Sequence, residues 1–426
     1  MTWTQLRYHP VQSALWRSTE RFPIVCAGRG SGKSELAKRR VVRWLPIIKP
    51  WPDPIYFYAL PTYAQARRVA WDSLKSLIPR EWIKGEPKES SMIIETIFGS
   101  KLYLLGMDNP ARIEGVQWDG GVYDEYSDQK PKSFDLSVRP ALSHKNAWCW
   151  RIGVPKRTGP CASEFKDVFE SGKTDDDPDV KSYHWTSEEI LPEAEIVSAK
   201  RNLSEDDYNE QYRASWETST GLVNHAFSNI FNVSDQVTYK SNSVIIVGSD
   251  FNVNPMCWCL SHVVDGRHLV IFDEIKLRDT NTQATLDYLY EKYGAHEAGW
   301  AFIGDASARA RNTRAAKSDF IQIYEDKRFI NKKVIYDKSN PPIADRVAAV
   351  NALLCNVLKE RRCKIHPRCV TLIKDLESLA YKPGTREIQV QPDMGHMYDA
   401  FGYIVYKLFP IRISQSSQKN VVVSHG

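Results

Sequence analysis

The stretch 25–34, VCAGRGSGKS, decides the fold of the first half of this chain. An apolar run at 23–27 leads into it and predicts a short buried strand. A helical pattern follows, from Glu35 to about Leu45. The order of strand, glycine-rich turn, Lys-Ser and helix is typical of a loop that binds the phosphates of a nucleotide.

The residue types in this loop suit an anion. Glycines let several backbone N–H groups point at one phosphate, and the N-terminus of the following helix adds partial positive charge. We expect Lys33 to reach the β- and γ-phosphates and Ser34 to bind Mg²⁺ through its hydroxyl. The strict pattern has glycine where this chain has Ala27, which is small enough for the same turn. The alternative is a chance glycine-rich turn before a helix. The residues of the loop predicted to contact nucleotide are Gly28, Gly30, Ser31, Gly32, Lys33 and Ser34.

Length and composition indicate a soluble, multidomain protein. With 426 residues, two or three domains are expected. Apolar residues make up 42% of the chain, yet no run reaches the length of about 18 that a membrane span needs. The N-terminus lacks the shape of a signal peptide, so we expect a cytoplasmic protein. The net charge of +5 permits a polyanionic partner without requiring one.

The eight cysteines are scattered, which indicates reduced thiols. One cluster, Cys363, His366 and Cys369, offers three zinc ligand types but no clear fourth. A loop or a helix end is therefore favoured over a metal site there.

A pair of carboxylates follows the predicted loop in the sequence. The apolar run 121–123 predicts a strand that ends at Asp124 and Glu125. In an ATPase, the first acid of such a pair holds the Mg²⁺ shell and the second polarises the attacking water. Because two further strands are predicted at 92–98 and 101–105, between the loop and this pair, we assign both acids to one nucleotide site.

Three other positions have weaker signals. Gln12, in the aromatic-rich lead-in, has the paired donor and acceptor that read an adenine edge, although a surface glutamine is the default. Arg112 lies on a loop from which it could act on the γ-phosphate, in its own subunit or a neighbouring one; a solvated loop arginine is the alternative. The strand at 147–157 ends in Gly-Val-Pro and could sense the nucleotide.

Asp250, Asp305 and Asp399 form the second candidate site. The first two end apolar strands and the third begins a predicted helix, which is the arrangement of ribonuclease H-like nucleases. Carboxylates at adjacent strand ends would hold one or two Mg²⁺ or Mn²⁺ ions for cleavage of a phosphodiester. The basic segment 309–317 would suit a nucleic-acid backbone, or it is a solvated face.

We therefore predict an α/β protein with two domains. Residues 1–216 would form a P-loop ATPase domain of mostly parallel sheet, of the ASCE type, with a helical lid at about 186–216. Residues 217–243, which are polar and turn-rich, would link it to a ribonuclease H-like nuclease domain at 244–412. In the second domain, strands at 244–251, 255–264 and 268–274 predict an antiparallel meander. Residues 413–426 would form a flexible tail.

The order of these motifs resembles the large terminase subunit of tailed double-stranded DNA bacteriophages over about residues 5–410. The resemblance rests on YHPVQ at 8–12, GRGSGKS at 28–34, PTYAQ at 61–65, VYDE at 122–125, GSD at 248–250, GD at 304–305 and HMYDA at 396–400. It implies a nucleotide role for Arg29, because the family loop often carries an early arginine, and it supports the adenine role of Gln12. The family's trans-acting arginine usually precedes glycine directly, whereas Arg112 and Gly115 are separated, and Gly-Val-Pro departs from the family's coupling motif.

The resemblance implies a motor that uses ATP and Mg²⁺ to package double-stranded DNA into a procapsid through the portal protein. The nuclease, with Mg²⁺ or Mn²⁺, would cut concatemeric DNA at initiation and termination. The expected assembly is a homo-oligomeric ring, of five copies, with a small terminase subunit, in the host cytoplasm and transiently on the procapsid. Two alternatives remain: a DNA-remodelling or repair ATPase whose second domain binds nucleic acid without cutting, and a small-molecule phosphotransferase.

Overall fold

The computed structural model describes residues 3–4, 9–157, 159–174, 177–216, 221–252, 254–306, 318–337, 339–382, 385, 387–389 and 393–411. These residues form two compact units. Unit 1 contains residues 1–196 and 209–218, and unit 2 contains residues 197–208 and 219–426. The basic segment 309–317, Tyr8 and the tail 413–426 lie outside the described residues.

Unit 1 is built on a seven-stranded sheet. Its strands are β1 Phe22–Ala27, β2 Ile55–Leu60, β3 Ile93–Glu95, β4 Lys101–Gly106, β5 Gly120–Tyr123, β6 Trp148–Gly153 and β7 Val180–Trp185. The helices that begin in this part of the chain are α1 Pro10–Trp16, α2 Lys33–Trp44, α3 Tyr63–Ala66, α4 Asp72–Leu77, α5 Arg139–Ser143, α6 Ala162–Ser171, α7 Glu193–Asn202 and α8 Glu205–Gln211. The order across the sheet is β3-β4-β2-β5-β6-β1-β7, parallel except for the β3–β4 hairpin. The strands predicted at 23–27, 92–98, 101–105, 121–123 and 147–157 are confirmed, and β7 was not predicted.

The apolar strands of unit 1 are buried on both faces. Val25, Tyr56 and Tyr58 pack into one core, while Ile24 and Phe57 pack into the core on the opposite face. A central strand in a parallel sheet needs apolar residues on both sides, which explains the continuous apolar runs in the sequence. The helical segment from Tyr63 to Leu77 is continuous but contains a π-turn at Arg67–Trp71.

Unit 2 is built on a six-stranded mixed sheet. Its strands are β8 Ile245–Asp250, β9 Met256–Val264, β10 His268–Leu277, β11 Trp300–Gly304, β12 Lys332–Ile335 and β13 Cys363–Ile365. Its helices are α9 Asn229–Asn232, α10 Thr282–Tyr293, α11 Asp319–Glu325, α12 Ile343–Leu354, α13 Val370–Ser378 and α14 His396–Leu408. The order is β12-β11-β8-β9-β10-β13. The predicted meander β8–β9–β10 is confirmed as antiparallel, and β11 is parallel to β8. The short strands β12 and β13 were not predicted.

The predicted lid and the predicted linker belong largely to the two compact units. The region predicted to be a helical lid, 186–216, contains α7 and α8, and its residues 197–208 cluster with unit 2. The described part of the predicted linker, 221–243, packs within unit 2, where Val223 and Asn232 are fully buried. Its polar composition arises because such side chains bond to the backbone: Asn232 Nδ2 donates to the carbonyls of Leu354 and Cys363 at 3.1 Å each. Within the described part of the chain, no helix combines the length and the apolar character needed to cross a membrane.

Candidate nucleotide and metal sites

The glycine-rich loop joins the end of β1 to the start of α2. Gly30 and Gly32 have φ angles of 71° and 83°, in the left-handed region that glycine adopts without strain. Gly32 caps α2, whose first residue is Lys33. The Lys33 side chain is mostly enclosed, with the residue 8% exposed. The loop therefore has the turns and the helix N-terminus that an anion site needs.

The first half of the loop is fixed by bonds to two other segments of unit 1. The Arg29 N–H donates to the Gln211 carbonyl at 2.6 Å, and the Ser187 hydroxyl donates to the Arg29 carbonyl at 2.7 Å. A Cβ atom on Gly28 would lie 2.3 Å from the Ser187 hydroxyl and 2.5 Å from the Tyr212 carbonyl. Glycine is required at residue 28 because these segments approach so closely.

Gln12 and Arg29 are both predicted to act on the nucleotide; Gln12 contacts this loop and Arg29 belongs to it. The Gln12 side-chain amide donates to the Ser31 carbonyl at 2.9 Å. The Arg29 guanidinium is exposed and donates to the Gln211 side chain at 3.3 Å. Gln12 thus contacts the loop itself, and its adenine role stays a prediction.

Asp124 follows β5 and is buried beside the loop. Its Oδ2 accepts from the Tyr58 hydroxyl at 2.5 Å, and its Oδ1 accepts from the Glu125 N–H at 2.8 Å. The Ser34 hydroxyl lies within hydrogen-bonding reach of the Tyr58 hydroxyl. Ser34 and Asp124, the two predicted Mg²⁺ ligands, are therefore linked through one tyrosine. A carboxylate and a hydroxyl are oxygen donors of the kind that Mg²⁺ prefers.

Glu125 has an unusual backbone for a residue other than glycine, with φ of 53°. Such conformations cost about 1–3 kcal/mol and cluster at functional sites. Burial, and then the charge of Asp124, raise the pKa of Glu125, while Lys33 and Lys156 oppose the shift. Lys156 also forms an ion pair with Asp128. The segment that follows β6 therefore places the positive charge of Lys156 beside Glu125 and Asp128. No sequence motif had indicated this lysine.

Arg112 ends a short turn, Pro110–Arg112, beyond the carboxyl end of β4. Its guanidinium donates to Asp108 Oδ1 at 3.1 Å and to the Gly106 carbonyl at 3.3 Å. In this arrangement the side chain is held by its own loop. A trans-acting role stays a prediction, and it requires the exposed ion pair between Arg112 and Asp108 to break.

Asp250 and Asp305 lie at neighbouring strand ends in unit 2. Asp250 is the last residue of β8, and Asp305 comes directly after β11. The parallel register pairs Gly304 with Ser249, so the two aspartates follow the same rung of the sheet. This part of the predicted carboxylate arrangement agrees with the sheet register.

Asp399 is brought to β8 by the packing of α14. A Cβ atom on Gly248 would lie 2.2 Å from the Ala400 carbonyl oxygen, so the helix backbone rests directly on the strand. Asp375 fixes the start of α14, because its buried carboxylate accepts from the Tyr398 N–H at 3.1 Å. These two contacts set the position of Asp399 relative to Asp250.

Two of these aspartates have side-chain partners that sequence reasoning missed. Arg346 on α12 donates to Asp399 Oδ1 at 2.7 Å, and its guanidinium lies 4.7 Å from the centre of the Tyr403 ring. His396 Nδ1 lies 2.9 Å from Asp250 Oδ2, and this contact raises the pKa of His396. Burial raises the pKa of Asp399 to about 6; Arg346 opposes the shift and the charge of Asp250 adds to it.

The donor set fits a hard divalent cation, because it consists of carboxylate oxygens that repel one another. The described residues nevertheless contain no group of three or more Asp, Glu, His or Cys side chains close enough to hold a metal ion. The expected convergence of all three carboxylates is thus not present in this arrangement, in which Arg346 and His396 bind two of them. Their role as metal ligands stays a prediction.

The two cysteines of the Cys363, His366 and Cys369 cluster are core residues. Cys363 lies in β13, Cys369 precedes α13, and both are buried in the core of unit 2. His366 Nδ1 accepts from the Arg368 N–H at 3.0 Å. All eight cysteines are buried and unpaired, as expected for reduced thiols.

No family model matches the chain. The large terminase subunit of Escherichia phage T5 is 21% identical over 416 residues, which cover 93% of this chain and 89% of that protein. The chain resembles large terminase subunits of bacteriophages. A second terminase subunit, from Thermus phage G20c, is 22% identical over 58% of each chain.

Solved terminase structures share the fold. The large terminase of a thermophilic bacteriophage is 17% identical, with a TM-score of 0.59 over 94% of this chain and 99% of that one. A second structure of that terminase, in complex with ATP-γ-S, is 18% identical, with a TM-score of 0.57 at the same coverage. The chain accordingly has the fold of these terminase structures, and both of its units are α/β, as predicted.

Proposed function

We propose that this chain is the ATPase and nuclease of a viral DNA-packaging motor. ATP hydrolysis would drive double-stranded DNA into a procapsid, and the second unit would cut concatemeric DNA at initiation and termination. The observation that supports this most strongly is the match to the phage T5 terminase across 93% of the chain, with both sets of candidate residues inside one polypeptide.

In the first unit, each candidate residue has a distinct task. The loop N–H groups and Lys33 would bind the phosphates of ATP, and Ser34 and Asp124 would hold Mg²⁺, which neutralises charge on the phosphates. Glu125 would orient and polarise the attacking water, since it lies close enough to Lys33 to feel the lysine charge. Its raised pKa fits a base that accepts a proton at the moment of attack.

In the second unit, Asp250, Asp305 and Asp399 would hold one or two Mg²⁺ or Mn²⁺ ions, which activate water and stabilise the departing oxygen of a phosphodiester. For Asp399 to bind an ion through Oδ1, Arg346 must give up its bond at 2.7 Å; Oδ2 carries no such requirement. His396 is placed to hold Asp250 through Oδ2, which leaves Oδ1 for an ion.

The assembly we propose is a homo-oligomeric ring, of five copies, on the portal protein of the procapsid. A small terminase subunit would select the start site on DNA. Arg112 would act on the nucleotide of a neighbouring subunit, where its loop position and its exposed pairing with Asp108 allow it to be redirected. The work would take place in the host cytoplasm, and the protein would leave before the virion matures.

Plasmid cleavage tests the nuclease half of this proposal. Purified full-length protein with Mn²⁺ should nick or linearise a supercoiled plasmid, and Asp305→Ala should abolish the cut. If Asp305→Ala cuts as well as wild type, the nuclease assignment fails. If wild type binds plasmid but never cuts it, the remodelling or repair ATPase becomes the better account.

The motor half is tested with linear duplex DNA. Wild-type protein should hydrolyse ATP and bind duplex at low salt, and Lys33→Ala should lose hydrolysis while keeping duplex binding. If Lys33→Ala hydrolyses ATP at the wild-type rate, the motor proposal is wrong. Failure of wild type to bind duplex would instead favour a small-molecule phosphotransferase.

A further inference from the structure

Tyr58 contacts the candidate nucleotide site although it belongs to neither nucleotide motif. It sits on β2, which pairs in parallel with β5, the strand that leads to Asp124. The residue is 1% exposed, and its hydroxyl donates to Asp124 Oδ2 at 2.5 Å. A bond this short to a carboxylate is typical of a charge-assisted hydrogen bond.

The Tyr58 hydroxyl also connects to the glycine-rich loop. The hydroxyl of Ser34, the first residue after Lys33, lies within hydrogen-bonding reach of it. The second oxygen of Asp124 accepts from the Glu125 N–H at 2.8 Å. Both oxygens of the carboxylate therefore have fixed donors.

We infer that Tyr58 is a positioning residue that sets the separation and orientation of Ser34 and Asp124 for the Mg²⁺ of a bound nucleotide. By accepting a hydrogen bond from the Ser34 hydroxyl, the tyrosine would turn the lone pairs of the serine oxygen toward the ion. By donating to Asp124, it fixes the plane of the carboxylate. Partners one step removed from a metal commonly act in this way. The inference rests on the proposed ATPase function.

Tyr56 provides a matched control on the same strand. It lies two residues earlier, in the same core as Tyr58, and is fully buried. Its hydroxyl makes no hydrogen bond within the described residues. Tyr56→Phe and Tyr58→Phe therefore remove the same atom from similar surroundings, and only the second removes a link to Ser34 and Asp124.

The test measures binding of a fluorescent ATP analogue by the full-length protein while Mg²⁺ is titrated. Residues that hold metal ligands in place typically contribute 10- to 100-fold in metal affinity. The Mg²⁺ concentration for half-maximal binding of the analogue should therefore be at least about tenfold higher in Tyr58→Phe than in wild type. Its affinity for the analogue in EDTA should match wild type, and Tyr56→Phe should match wild type throughout. Equal curves for the two Phe variants would overturn the inference.

A double variant gives a second, independent check. If Tyr58 acts through Ser34, then Tyr58→Phe added to Ser34→Ala should raise the Mg²⁺ requirement by clearly less than it does in wild type, since interacting residues are not additive. Full additivity would contradict the inference. Absence of Mg²⁺-dependent binding in wild type would instead reject the proposed function and leave the role of Tyr58 without a basis.

Discussion

The candidate nucleotide site of unit 1 and the candidate metal site of unit 2 use aspartates at strand ends in different ways. Asp124 is tied to its own neighbours: both of its oxygens accept bonds from Tyr58 and Glu125, and Tyr58 leads to Ser34. Asp250 and Asp399 are bound by side chains that carry or can carry positive charge.

This difference predicts how each site responds to its ion. The donors at Asp124 are a neutral hydroxyl and an N–H, which leave the negative charge available to Mg²⁺. At Asp399 the Arg346 guanidinium already neutralises part of the charge, so an ion must share the carboxylate with it. The first site is organised before the ion binds, whereas the second is set by helix packing and by two side chains that compete with or orient the ion.

The largest effect is expected at Glu125. Glu125→Gln should lower ATP hydrolysis by about 10²- to 10⁴-fold, because the amide cannot accept the proton of the attacking water. Steady-state phosphate release measures this. Glu81→Gln, at an exposed residue of the same unit, is the matched control and should hydrolyse at the wild-type rate. Hydrolysis at a similar rate in both variants would mean that Glu125 is not the base.

Asp250 should separate the two sites. Asp250→Ala should reduce plasmid cleavage in Mn²⁺ by at least roughly 100-fold through loss of a metal ligand, while ATP hydrolysis stays at the wild-type rate. Asp235→Ala, an exposed aspartate in unit 2, controls for a general change of charge. Loss of both activities together would point to misfolding or to a shared site.

Gly248 tests the claim that packing sets the second site. A Cβ atom there would meet the Ala400 backbone at 2.2 Å, so Gly248→Ala should push α14 off β8. Overpacking of this kind costs about 1–3 kcal/mol in the free energy of unfolding, and cleavage should fall with it. Gly221→Ala, where the new methyl meets nothing within 4 Å, should be close to neutral in urea denaturation. If the two variants have the same free energy of unfolding, the close packing of α14 on β8 does not set the second site.

Arg346 should give the smallest effect. Arg346→Gln removes the cation from Asp399, whose side chain is 36% exposed, so solvent limits the cost. We expect about a tenfold change in plasmid cleavage and unchanged ATP hydrolysis, with Arg346→Lys closer to wild type because the charge is kept. Manganese affinity, measured by calorimetry, gives the sign: tighter binding in Arg346→Gln means that the arginine competes with the ion, and weaker binding means that it orients the carboxylate.

The sequence predicted the elements that depend on local pattern. The loop at 25–34, the strand ending at Asp124 and the strand and helix carrying Asp250 and Asp399 are visible in apolar runs and turn residues. Strand β7 was missed because exposed polar residues interrupt its pattern, and β12 and β13 are too short to show one.

Side-chain partners from distant segments could not be predicted in the same way. Tyr58 reads as a core residue of an apolar strand, and its contact with Asp124 exists only because β2 and β5 are neighbours in the sheet. Arg346 reads as a charged residue on a helix, yet only 6% of its side chain is exposed, and it bonds with Asp399 far along the chain. Such contacts follow from topology, which local pattern does not specify.

One diffraction measurement tests the central claim that the two units carry separate metal sites. Crystals grown with Mn²⁺ and ATP-γ-S should show anomalous density for one ion in contact with Ser34 and Asp124, and for one or two ions between Asp250, Asp305 and Asp399. The bond between Arg346 and Asp399 should then be lengthened or shared, while the bond between Tyr58 and Asp124 stays as it is. Ions bound elsewhere, with both sets of carboxylates left without them, would contradict the account.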